Sequence, residues 1–186
     1  MNIVNTATSG LSFLLDATRL FHLVDAPKKR IPQIANGKLL EIPVYSIFRV
    51  PPLNCARYTR LAARDIFHLD YPAGAAWEKK YGTITVASGG DLNLNELARS
   101  NTIHPGMLVG LFNDDSHYRN SLDSHGQKVD VTHSALYLGM DEGDALLANQ
   151  FVAKTFVFPF SKMSSNLHAR QVLAPLNWET VKNFSI

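Results

Sequence analysis

Apolar positions in the first part of the chain recur at helical spacing and then change to a two-residue alternation. Leu11, Leu14, Leu15, Ala17 and Phe21 lie close to a 3.6-residue period, with Ser9 where a capping side chain would stand. A helix is therefore expected from Gly10 to about Val24, closed by the PKKR turn. Leu40, Ile42, Val44, Ser46 and Phe48 alternate with a second set, which predicts a strand running into Pro51-Pro52. The helical period returns from Cys55 to about Leu69, where Tyr58, Leu61, Ala62, Ile66 and Leu69 share one face. "YPAGAAWEKKYG" reads as a loop with a short helix carrying Trp77, and Asp91 or Asn93 caps another short helix through Leu94, Leu97 and Ala98.

Beyond His104-Pro105-Gly106 the pattern is that of strands. "MLVGLF" is a continuous apolar run, and the polar loop from Asn113 to Asp130 carries no periodicity. In "VTHSALYLG", His133, Ala135 and Tyr137 point one way and Ser134, Leu136 and Leu138 the other. "DEGD" is a hairpin turn, and "ALLANQFV", "TFVFPF" and "ARQVLA" are further strands. Helices first and an antiparallel meander afterwards predict an α+β domain with helix packed on sheet. No repeat or linker interrupts it, so one domain over residues 1–186 is expected, as 186 residues most simply form.

Composition narrows the function classes. With 46% hydrophobic and 18% charged residues, the chain can bury a full core. A net charge of +2 and one basic cluster, Lys28-Lys29-Arg30, give no stripe for nucleic acid. No apolar run approaches the roughly 20 residues that span a bilayer. No lysine or arginine precedes "LSFLL", so a secretory signal is not expected. The expectation is a chain without a membrane span, cytoplasmic or exported by a route other than a cleaved signal.

The single cysteine cannot form an internal disulfide. Cys55 is either a small buried hydrophobe or a nucleophile. Asn54 is a favourable cap, which puts Cys55 at the first helical position, where amide hydrogens and the helix dipole favour a thiolate. Among seven histidines, His133 is the one on an alternating strand with small neighbours; it reads as a base or as a core histidine. The following strand offers Asn149 and Gln150, of which only one can face His133. An amide can orient an imidazole as a carboxylate does. Asp114, Asp115, His117, Asp123 and His125 crowd the polar loop but lack metal-site spacing, so a lid is expected there and no metal or cofactor.

A cysteine opening a helix, then "HPGMLVGLF", "THSALYLG" and "LLANQF", resembles the NlpC-like papain-fold cysteine peptidases of bacterial cell walls. The resemblance covers residues 54–151. It implies a papain-like fold with residues 51–175 as the catalytic core and residues 1–50 as an extension. It implies a thiol protease of peptidoglycan with Cys55 as nucleophile, His133 as base and Asn149, or else Gln150, as orienting residue. It also implies a tyrosine facing the oxyanion, for which Tyr45 is the nearest. The usual Asp-Cys-Ser-Gly reads Asn-Cys-Ala-Arg here, and the third residue is an amide instead of histidine. The same dyad would serve an acyl hydrolase or transferase acting on another amide or ester, and a buried Cys55 would leave a papain-fold binding module. A phage lysin, a secreted effector or a cytosolic recycling enzyme would each carry such a domain without a signal.

Overall fold

Asn36 and Gly37 both adopt positive φ, 49° and 71°, which is what the tightest hairpin turn demands of its two central residues. They join β1 (Lys29–Ala35) to β2 (Lys38–Val44) in a two-stranded antiparallel sheet. In this computed structural model the described residues are 27–51, 54–71, 83–114, 131–151, 154–176 and 178. The expected Gly10–Val24 helix, the Trp77 segment and most of the polar loop lie outside them. The strand expected through Phe48 ends at Val44, and its partner β1 was not foreseen.

The cysteine-led helix, α1, spans Cys55–Phe67. Asn54 Oδ1 accepts the Arg57 amide at 3.0 Å, and His68, in the left-handed region at φ 57°, ends the helix. A second helix, α2 (Leu94–Arg99), starts at Asn93, whose side chain accepts the amides of Asn95 and Glu96. The large sheet contains β3 (Thr83–Ser88), β4 (Leu108–Asn113), β5 (His133–Asp141), β6 (Asp144–Phe151), β7 (Lys154–Pro159) and β8 (Leu167–Pro175). Neighbours pair antiparallel in the order β3-β8-β4-β5-β6-β7. The architecture is α+β. The sheet departs from a plain meander in one respect: β8 returns across the sheet to lie between β3 and β4.

Alternation divides the sheet into two apolar layers. Leu136, Leu138, Leu146 and Ala148 face α1 and pack with Tyr58, Ala62, Ala63 and Phe67. The hairpin joins the same layer through Ala35 and Ile42. Ala135, Tyr137, Ala145 and Leu147 form the opposite layer with Leu94, Val109, Leu111 and Val172. A sheet buried on both faces has little freedom to slip, because a one-residue shift would exchange the two layers. Gly106, at φ 93°, turns the chain into β4 where a side chain would collide with Leu69 and Phe67, and its amide donates to Tyr137 O at 2.8 Å. The end of α1 and the middle of β5 are thereby held in fixed relation.

Candidate active site

Cys55 is the first residue of α1 and half-buried. The first amides of a helix lack partners within it. Here Arg57 N is taken by Asn54 Oδ1 and Tyr58 N by Asn54 O at 3.2 Å. The amides of Cys55 and Ala56 are the two that Asn54 does not engage. They sit at the positive end of the helix dipole beside the thiol, and α1 has no acidic residue in its first turn to oppose an anion.

The thiol meets the beginning of β5. Burial alone pushes its pKa up, as desolvation disfavours the charged form. A hydrogen bond to His133, the charge of that imidazole, and hydrogen bonds from the side chain and backbone of Ser134 outweigh burial. The result is a thiol brought down from 9.0 to about 7. Such a group supplies a large thiolate fraction at neutral pH while keeping more nucleophilicity than a strongly acidic thiol.

His133 opens β5, and Asn149 lies on β6. The register sets Leu136 opposite Ala148. Continued to the strand end, that register makes Asn149 the diagonal neighbour of His133 on the same face. Asn149 Nδ2 lies 2.9 Å from His133 Nε2. The contact occupies Nε2 and leaves Nδ1 for the thiol. For Nδ1 to take the thiol proton its lone pair must be free, so the ring hydrogen belongs on Nε2, where it donates to Asn149 once a half-turn of the side-chain amide presents Oδ1. When the ring takes a second proton, it takes it at Nδ1, and Nε2–H goes on donating to the same amide oxygen. Asn149, only 8% exposed, can thus hold either protonation state of the ring in one orientation.

Cys55, His133 and Asn149 are therefore brought together, and Gln150 is not. Gln150 alternates to the other face, is 2% exposed, and neither of its amide atoms finds a partner among the described residues. Tyr45 also lies elsewhere. Its hydroxyl donates to Asp65 Oδ2 at 2.7 Å, and its ring meets Tyr58 edge-on at 5.9 Å. Asp65 is ten residues along α1 from Cys55, about 15 Å at helical rise, so Tyr45 is committed to the far part of the helix and does not serve an oxyanion.

From the polar loop, Asp114 accepts from His168 Nε2 at 2.9 Å, and His168 Nδ1 faces Asp91 at 3.4 Å. Asp115, His117, Asp123 and His125 lie outside the described residues. Among the described residues no group of three or more ligating side chains could hold a metal ion. None of their helices is long and apolar enough to cross a membrane.

Sequence reasoning missed Ser134. No local signal marked it, because its place beside the helix that carries the nucleophile arises only when α1 is packed on β5. With this geometry in place, the comparisons add no relative: no protein-family model, curated protein or solved structure matches the chain.

Proposed function

We propose that the chain is a papain-like cysteine hydrolase that cleaves an amide bond in peptidoglycan stem peptides or crosslinks. The observation that carries the catalytic part is the line of contacts from Cys55 to His133 to Asn149, with the thiol brought down to about 7 by its partners. The sequence resemblance supports the substrate class, through the order of the cysteine helix, the Pro-Gly turn, the histidine strand and the polar residue on the next strand.

In this reading His133 takes the thiol proton and Cys55 attacks the scissile carbonyl. The amides of Cys55 and Ala56 stabilise the oxyanion at the helix start. The tetrahedral intermediate collapses as His133 delivers its proton to the leaving amine, forming a thioester on Cys55. Water, deprotonated by His133, then attacks the thioester and releases the carboxylic acid and the free thiol. Asn149 keeps the ring in place by accepting from Nε2–H while Nδ1 gains and loses its proton. No cofactor enters the scheme.

The test is digestion of purified cell wall by the intact protein, with the new termini identified by mass spectrometry. New amine and carboxyl termini with the wild-type chain and none with Cys55→Ala support the proposal. Equal release by both, or no release from any wall or peptide amide by folded wild-type protein, rejects it.

A further inference from the structure

Where β8 pairs with β4 it carries one residue too many. Gly110 is opposite Gln171 and Leu111 opposite Ala169, so Arg170 is the extra residue of a bulge and its side chain is released from the alternation of the strand. Its guanidinium carbon lies 5.3 Å from the centre of the Phe112 ring, and Nη1 stands 3.6 Å from the place a Cβ on Gly90 would take. Among the described residues this side chain donates no hydrogen bond and meets no carboxylate; Nε is sealed from solvent, and the two Nη nitrogens are not. Asp91 and Asp114, which follow Gly90 and Phe112 closely in the chain, both turn to His168.

The guanidinium shares a rim of the sheet with the catalytic pair. Leu111 is opposite His133 on β5 and Ala169 on β8, so these three residues form one line across three strands. Two strand spacings, about 10 Å, separate His133 from Ala169. Leu111 belongs to the layer remote from α1, so Phe112, the next residue, faces the side on which α1 presents Cys55. On that side the row Ser134, Gly110, Gln171 crosses the sheet with a glycine at its middle. Helix α1 packs on β5 and β6, to one side of this row.

We propose that Arg170 binds a carboxylate of the substrate through its two Nη nitrogens, and so selects peptides that carry a free carboxylate within about three residues of the scissile amide. Three extended residues span about 10 Å, which matches the separation of His133 from Ala169. Phe112 fixes the plane of the guanidinium, and two parallel hydrogen bonds to a carboxylate are stronger than those to a neutral group. A carboxamide is a poor replacement, because its NH2 would meet the guanidinium hydrogens donor to donor. The inference rests on the reading of Cys55 as the nucleophile of an amide hydrolase and adds the chemical feature by which the substrate is chosen.

The test offers stem peptides to the intact protein in two forms, with their carboxylates free and with the same groups converted to carboxamides. Wild type should cleave the acid form with kcat/KM about ten- to a hundredfold higher, the difference lying in KM, as loss of charge-assisted hydrogen bonds predicts. Arg170→Met keeps an apolar chain on Phe112 and removes the charge. It should cleave both forms as wild type cleaves the carboxamide, and Arg170→Lys should restore part of the preference. Iodoacetamide should label Cys55 at the same rate in wild type and Arg170→Met, which a general loosening of the site would not allow. Equal wild-type kcat/KM on the two forms, or a full preference kept by folded Arg170→Met, overturns this inference and leaves the cysteine hydrolase standing. Should Arg170→Met fail to fold, the wild-type comparison still decides. No cleavage of either form by folded wild type overturns the inference together with the catalytic reading beneath it.

Discussion

Replacing His133 with alanine removes the two largest influences that lower the Cys55 thiol and leaves burial, which raises it, opposed only by Ser134. The thiol should then return to or pass its ordinary value of 9.0, a change of two pH units or more from about 7. Two units correspond to about 2.7 kcal/mol of preference between the two forms of the thiol. At pH 7 the thiolate fraction falls from about a half to about 1%, so alkylation should slow roughly fifty-fold, since only the thiolate reacts. The assay is the second-order rate of iodoacetamide labelling of Cys55 between pH 5 and 10, followed by intact mass. Wild type should show a rate rising through pH 7, and His133→Ala a rise displaced to pH 9 or above. The same displacement appears in stability. A thiol whose folded pKa is depressed contributes stability that is fully present above the unfolded value of 9.0 and is lost as pH falls through 7. Unfolding by denaturant should therefore show wild type gaining on Cys55→Ala from pH 7 to pH 9. Coincident labelling profiles for wild type and His133→Ala would refute the account of the thiol.

Other substitutions test the neighbours of the pair. Asn149→Ala frees the His133 ring and should reduce kcat about a hundredfold with little change in KM, as loss of catalytic orientation does; unchanged kcat would remove Asn149 from the site. Gln150→Met replaces a buried amide that has no partner among the described residues with an apolar chain of similar volume. It should leave activity intact and stabilise the fold by about 1–3 kcal/mol in denaturant titration, whereas destabilisation would show that the amide is satisfied after all. Tyr45→Phe removes only the hydrogen bond to Asp65. It should cost about 1 kcal/mol of stability and no activity, and a large fall in kcat would return Tyr45 to the oxyanion.

What could be read from the sequence depended on how local the determining physics was. The caps at Asn54 and Asn93 act within three residues, so both helix starts were legible. The strands of the second half announced themselves by alternation, and the turn between β5 and β6 by Glu142-Gly143, both at positive φ. The β1–β2 hairpin was overlooked because Pro32, Gln33 and charged ends blur the alternation, although Asn36-Gly37 carried the turn signal. β3 is a short edge strand whose partner β8 lies far along the chain, with Ile84 opposite Ala174, and nothing local specifies that pairing. The insertion of β8 beside β4 is likewise a matter of which layers must be covered, not of propensity.

At the site, the one-residue argument that only one of Asn149 and Gln150 can face His133 was sound, but it could not say which. The register Leu136 opposite Ala148 decides it. The Tyr45 assignment failed because proximity in sequence to Cys55 says nothing about direction, and the chain between them turns through Ser46–Val50 before α1 begins. Ser134 escaped notice because its importance arises only when α1 is laid on β5, which places Thr59 against it.

The most direct test of the account is to trap the acyl-enzyme. Wild-type protein mixed with muropeptides and quenched in acid within the first turnovers should carry an added acyl mass, mapped to Cys55 and lost on treatment with hydroxylamine. His133→Ala should accumulate little of it, and Cys55→Ala none. Cleaved muropeptides with no adduct on Cys55, or an equal yield from Cys55→Ala, would contradict the claim that this sulfur is the nucleophile.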